Sequence, residues 1–165
     1  MARLRSVPGM PDVVISPVTA DEAELLLASA RETYAGGLRS RRGLSPEQAD
    51  QKAADDVAAL LPEGKDTTGQ VLLAAREAGR YVGGIWAAAQ GPDRAGMAWI
   101  YQVWVEPEAR GRGLSKRLIQ AAGDAVRVLG ADSLGLNVFG DNAPAIAVYD
   151  SLGFTVTAQQ MALPL

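Results

Sequence analysis

The stretch Val105-Glu106-Pro107-Glu108-Ala109-Arg110-Gly111-Arg112-Gly113-Leu114-Ser115 places two glycines and two arginines between an apolar run and an amphipathic one. A strand ending near Pro107 and a helix beginning near Gly113 would aim the helix's unpaired first-turn N–H groups at the junction. Those groups carry a partial positive charge, and glycine lets a backbone come close to an anion. The residue types suit a phosphate cradle built mostly from main chain. Neither the Walker pattern GK[ST] nor the dinucleotide fingerprint GxGxxG is present. A Gly-rich connector with solvated arginines is the plain alternative reading.

A second group lies downstream: Asn137, Asn142, Ala145, Tyr149, Leu152, Gly153 and Phe154. Asn137 interrupts an otherwise apolar strand pattern, and a polar residue there usually serves a partner. Asn142 is a natural helix cap, which alone explains it. Tyr149 follows seven residues later, about two turns on and so on the same helical face. By itself it reads as a core tyrosine with a satisfied hydroxyl.

What is missing narrows the chemistry further. The 165 residues contain no cysteine and no histidine. That excludes disulfides, thiol catalysis, Ser–His triads, a histidine base and the usual zinc sites. Any chemistry falls to carboxylates, tyrosines, lysine, backbone amides or a borrowed cofactor, and no metal is expected. The formal charge is −3, which disfavours duplex nucleic acid as a partner. Two basic clusters stand out, Arg110/Arg112/Lys116/Arg117 and Arg39/Arg41/Arg42. Each could receive an anion or simply face water.

These residues need elements to hold them. The length fits one domain, spanning 1–165, with residues 1–12 expected to be loosely ordered. Arg3 and Arg5 precede an apolar stretch too short for a secretory leader. No run approaches the ~18 residues of a membrane span. The cytoplasm is the expected compartment, with no membrane partner. Residues 13–18 read as a strand. Thr19 and Glu22 form a capping box for a helix that Gly36 and Gly37 should end. A Gly- and Arg-rich loop over 35–44 follows. Ser45, Pro46 and Gln48 open a second helix to about Leu61. Residues 70–77, 81–89 and 97–105 are apolar runs of strand length with short connectors at 78–80 and 90–96, as in an antiparallel meander. A helix over 113–129, a strand over 132–139, a helix from Asn142 to Leu152 and a last strand over 154–163 complete the chain. The fold class is α/β: a mixed, mostly antiparallel sheet flanked by helices.

The two motifs together resemble the GNAT N-acetyltransferase superfamily. Its pyrophosphate motif, Arg/Gln-x-x-Gly-x-Gly/Ala, is matched by Arg110-x-x-Gly113-x-Ser115, with Ser115 a mild departure. Its Asn…Ala…Tyr…Leu-Gly-Phe stretch is matched by Asn142, Ala145, Tyr149 and Leu152-Gly153-Phe154. The resemblance covers the chain from about residue 13 and implies a GNAT-like fold using acetyl-CoA. It implies that strand 97–105 splays from strand 132–139 to admit pantetheine. It further implies that Val103 and Val105 offer backbone groups to the pantetheine arm, one of them serving the oxyanion. Arg110, Gly111, Arg112, Gly113, Leu114 and Ser115 would wrap the pyrophosphate. Asn137 and Asn142 would contact the cofactor, and Tyr149 would protonate the departing thiolate. The reaction implied is direct acetyl transfer to the primary amine of a small molecule in a ternary complex.

The general base has no clear bearer. Relatives often carry an acid on the fourth strand, where this chain has Gln102. Glu32, Tyr34, Tyr101 and Gln102 are the residues expected to border the acceptor. The arginines at 35–44 would lie near its mouth, pointing to a carboxylate or phosphate on the acceptor or merely to solvent. Trp86, Trp99, Tyr101 and Trp104 either line a pocket or pack the core. A non-catalytic acyl-CoA-binding or regulatory module of the same fold is the alternative function. Exposed sheet edges are often paired in this superfamily, so a homodimer is the expected assembly.

Overall fold

A computed structural model describes residues 12–91, 95–161 and 163. Arg3, Arg5 and the 1–12 segment up to residue 11 lie outside these. So do residues 92–94 of the 90–96 connector and residue 162 of the last expected strand.

The chain runs β1 (Val13–Pro17), α1 (Ala20–Arg42), α2 (Pro46–Leu60), β2 (Gln70–Glu77), β3 (Arg80–Ala88), β4 (Met97–Val105), α3 (Leu114–Val128), β5 (Ser133–Leu136) and α4 (Ala143–Ser151). One five-stranded sheet has the order β1-β2-β3-β4-β5. The first three pairings are antiparallel, and β4 pairs β5 in parallel. The α/β architecture is the one the sequence implies. Both faces of the central strands are covered, which explains their nearly unbroken apolar runs. On one face Val71, Ile85, Ala98 and Ile100 meet Leu114, Leu118, Ala122 and Val126 of α3. On the other, Leu72, Ala74 and Trp86 meet Leu26, Leu27 and Val57 of α1 and α2.

Both expected capping boxes form. Thr19 accepts from the Glu22 amide while Glu22 accepts from the Thr19 amide, and Ser45 and Gln48 do the same. The β2–β3 turn is two residues long, with Ala78 at φ 48° and Gly79 at φ 80°. Positive φ at both positions is the twist-matched hairpin geometry, and alanine is strained there. Among the described residues, no helix is long and apolar enough to cross a membrane.

Three expectations are corrected. Gly36 and Gly37 do not end α1, which continues to Arg42 and stops at Gly43 in the left-handed region. Two interior glycines cost a helix about 1 kcal/mol each. Here Ala35 and Leu38 recover it by packing on Ala49 and Ala53 of α2. A Cβ on Gly37 would come within 3.0 Å of the Phe139 ring, so this glycine serves close packing rather than a helix stop. The supposed 35–44 loop is therefore mostly helix, and its arginines sit on a last turn where cations favour the helix dipole.

The strand expected over 132–139 spans only Ser133–Leu136, so Asn137 lies beyond it and is exposed. The last strand expected over 154–163 does not form among the described residues. Beyond Phe154 the large apolar side chains described, Val156, Met161 and Leu163, are all exposed. A strand without a buried face has little to hold it.

Candidate active site

β4 and β5 separate partway along their length. Their ladder runs from Met97↔Ser133 to Ile100↔Leu136 and stops. At the next residue β4 carries a bulge: Trp86 opposes Gln102 and Ala87 opposes Ile100, leaving Tyr101 unmatched. A bulge bends its strand and increases local twist, which is the physical reason that β5 loses its partner there. The remainder of β4, from Tyr101 to Val105, has no β5 residue paired with it, which leaves its β5 side as the candidate slot.

Backbone polarity within that slot follows from the period of two. The Glu106 amide donates to the Val82 carbonyl at 3.0 Å, toward β3. The neighbouring residue points the other way: Arg110 Nε donates to the Val105 carbonyl at 3.0 Å. Residues two apart on a strand share a direction, so the Val103 main chain also points away from β3 and into the slot. Val105 does so with its carbonyl already engaged.

The slot leads to the 106–115 junction. A short 3-10 turn, Pro107–Ala109, follows β4, and α3 starts after Gly113. Gly111 and Gly113 lie at φ 73° and 74°. A Cβ on either would meet nothing within 4 Å. Gly113 supplies no side-chain cap to α3, so the first-turn amides have no capping side chain and stand open beside two unshielded glycines. This fits a phosphate group approaching the main chain. Leu114 turns its side chain into the core, so only its backbone belongs to the junction. Ser115 is half-buried.

The four cations here are less free than their spacing suggests. Arg110 holds the Val105 carbonyl, Arg112 pairs end-on with Glu77, and Arg117 donates to the Val13 carbonyl at 2.8 Å. Lys116 is exposed and has no ion pair among the described residues.

A cleft of about 2070 Å³ extends from α3 across β5 to α4 and the α1 C-terminus. It gathers Arg112, Gly113, Lys116, Asn137, Tyr149 and Tyr34. Gly135 sits at its floor, where a Cβ would meet the Trp99 ring at 2.8 Å. Glycine is required for Trp99 to lie across β5. Tyr149 is half-buried, its ring 5.6 Å from that of Phe154. Burial raises its phenol above the ordinary value, so it keeps its proton at neutral pH. Asn142 caps α4, accepting from the Ala145 amide at 3.3 Å.

The residues expected at the acceptor side separate into different environments. Tyr34 lies at the cleft rim and donates its hydroxyl proton to Asp56 at 2.8 Å. Glu32 is exposed on α1 and does not line the cleft. Tyr101 stacks on Trp86 with ring centroids 4.7 Å apart. Gln102 is buried, its amide donating to Ser29 Oγ at 3.1 Å and Thr33 Oγ1 at 3.3 Å. Trp86 belongs to the core and Trp104 stacks on Tyr81. Of the α1 arginines, Arg39 pairs with Asp50 and Arg41 lies 3.6 Å over the Phe139 ring.

Sequence reasoning missed two features. One is the bulge at Tyr101, whose sole trace is the polar Gln102 within an apolar run. The other is Glu77, which lies in neither motif and reaches Arg112 only through the fold.

The model of the Acetyltransferase (GNAT) family matches residues 34–154. A mycothiol acetyltransferase of Saccharomonospora viridis is 44% identical over 87 residues, 50% of this chain and 28% of that protein. The chain thus spans under a third of that relative's length. YycN of Bacillus subtilis, a protein assigned as an acetyltransferase, has a crystal structure 27% identical to this chain. It superposes with a TM-score of 0.79 over 93% of this chain and 99% of that one. The PaiA N-acetyltransferase of Thermoplasma acidophilum, solved with coenzyme A, shares the fold at 19% identity, a TM-score of 0.66, and 90% and 93% coverage.

Proposed function

The chain belongs to the acetyltransferase (GNAT) family, and from that premise we propose that it uses acetyl-CoA to acetylate the primary amine of a small molecule. The acetyltransferase assignment sets aside the non-catalytic module. One observation carries the finer reading. The glycine-opened start of α3 at Gly113, the end of β5 at Leu136 and Asn137 where its ladder with β4 stops, and Tyr149 line one cleft.

Acetyl-CoA supplies an activated acetyl group as a thioester. The amides of residues 110–115 receive its pyrophosphate, helped by the α3 dipole. Main-chain groups of Val103 and Val105 hold the pantetheine arm. The Val103 N–H, pointing into the slot, stabilises the developing oxyanion. A donor of this kind is worth about 3–4 kcal/mol in the transition state. Tyr149 gives its proton to the departing thiolate, and its burial-raised pKa keeps that proton available. Asn137 and Asn142 flank the cofactor arm.

Gln102 cannot remove a proton, and its amide is engaged by Ser29 and Thr33. The reading we adopt over a water chain to solvent is an amine taken up neutral, for which kcat/KM rises with pH along the acceptor's own titration. Tyr34 and Tyr101 border the acceptor. Similarity to a mycothiol acetyltransferase supports a small amine acceptor. The cytoplasm and a homodimer complete the reading.

A melting scan with acetyl-CoA, and with ADP as control, tests the donor. At 100 times Kd, binding adds about 2.7 kcal/mol of stability. An amine panel followed by thiol release then tests the transfer. No rise in Tm at millimolar acetyl-CoA removes the reading.

A further inference from the structure

At the end of the sheet nearest the phosphate junction, four charges from two turns interleave. Glu77 and Arg80 flank the tight Ala78-Gly79 turn between β2 and β3 and are register partners. Glu106 and Arg112 flank the other turn, the one leading into α3. Arg112 pairs with Glu77 through both terminal nitrogens, one contact measuring 3.2 Å. Arg80 pairs with Glu106. The carboxyl of Glu77 is held below its ordinary value, first by the hydrogen bonds from Arg112 and also by the field of Arg80.

An exposed ion pair does little. The Arg112–Glu77 pair differs, being bidentate with side chains only 29% and 17% exposed. Its setting matters more. Arg112 sits between Gly111 and Gly113, both at positive φ with no neighbour where a Cβ would be. Such a segment has few packing contacts to fix it. Its side-chain tethers among the described residues are Arg110 on the Val105 carbonyl and Arg112 on Glu77. The two-residue β2–β3 turn is a stiff platform for the second tether. An end-on pair uses two of the five guanidinium N–H groups, leaving three for another anion.

We propose that Glu77 is a positioning residue for the donor's phosphate loop. It holds the Arg112 guanidinium, and through it the 110–113 backbone, in the form that receives a pyrophosphate. This rests on the CoA reading above. Without Glu77 the loop must be ordered when the ligand binds, and affinity falls by that ordering cost.

The test is calorimetric titration of coenzyme A into the wild-type chain, Glu77→Gln, Arg112→Gln and the double variant, with a melting curve for each. Glu77→Gln is expected to raise Kd roughly three- to tenfold. Because Glu77 acts through Arg112, the double variant should bind within about twofold of Arg112→Gln alone. If Glu77→Gln fails to fold, Glu77→Asp replaces it: the charge stays on a shorter arm and the same ordering is expected. Unchanged or tighter binding by the Glu77 variant overturns the proposal. So does a loss that adds in full to that of Arg112→Gln, as a merely structural role would give. Absence of binding by the wild-type chain overturns the CoA reading, and this inference with it.

Discussion

Replacing Glu22 by Gln removes one charge from a pair that joins three elements. Arg76 of β2 donates to Glu22 Oε1 at 2.7 Å and also pairs with Oε2. Its other N–H groups reach the Ser16 hydroxyl at 2.5 Å and the Pro17 carbonyl at 3.1 Å. Glu22 Oε2 accepts from the Thr19 amide at 2.7 Å as half of the capping box. The two side chains are 18% and 11% exposed. Glutamine keeps the size and an oxygen that can cap, so the change removes the charge together with one of the two oxygens that accept from Arg76. Arg76 is then left in a poorly solvated place without its counter-ion. Breaking a buried pair from one side costs about 3–5 kcal/mol. For a chain of this length that is roughly 6–20 °C in Tm, at about 2–4 °C per kcal/mol.

The pH dependence fixes the sign independently. The hydrogen bonds from Arg76 lower the Glu22 pKa, burial opposes them, and the Thr19 contacts lower it further. A depressed folded-state value means that the stabilisation is complete above the unfolded carboxylate value of about 4.3. It is lost as pH falls through the lower folded value. The gap in Tm between wild type and Glu22→Gln should therefore be flat above about pH 5 and close at more acid pH. Differential scanning calorimetry across that range reads both. Glu22→Leu with Arg76→Met should be less damaging than either single change, since no lone charge is left. A Tm drop below about 2 °C at pH 7, or a gap that widens in acid, refutes the reasoning.

Three further outcomes are expected. Tyr149→Phe keeps the ring packed against Phe154, so Tm and acetyl-CoA affinity should hold while kcat drops about 10²–10⁴-fold; steady-state rates of thiol release with any accepted amine check it. Ala78→Asn relieves a residue at φ 48° and creates the Asn-Gly pair that this turn favours. It should add about 1 kcal/mol, seen as a higher urea midpoint at constant slope. Gly113→Ala puts a side chain at φ 74° in open space. It should cost about 1–2 kcal/mol and weaken acetyl-CoA binding, read by melting and by titration.

Local chemistry determined most elements from sequence alone. Thr19 with Glu22, and Ser45 with Gln48, fix helix starts because a side chain and an amide three residues apart must meet there. The positions of β2 and β4 follow from largely apolar runs of strand length, and the α3 stripe from its 3.6-residue spacing. The glycine-rich entry to α3 and the place of Tyr149 on α4 were legible because their residue types at fixed intervals sit within one or two consecutive elements.

Long-range packing decided the rest. Gly36 and Gly37 carry a local stop signal that Ala35 and Leu38 override by burying against α2, a contact that no window around the glycines contains. The bulge at Tyr101 arises from pairing with β3, and it ends the β4–β5 ladder before Asn137 can join it. The cations at 110–117 read as free in sequence, yet three find partners on Glu77, Val105 and Val13. Two of those partners are distant in the chain, and charge pairing across such separations exists only once the sheet has set the register.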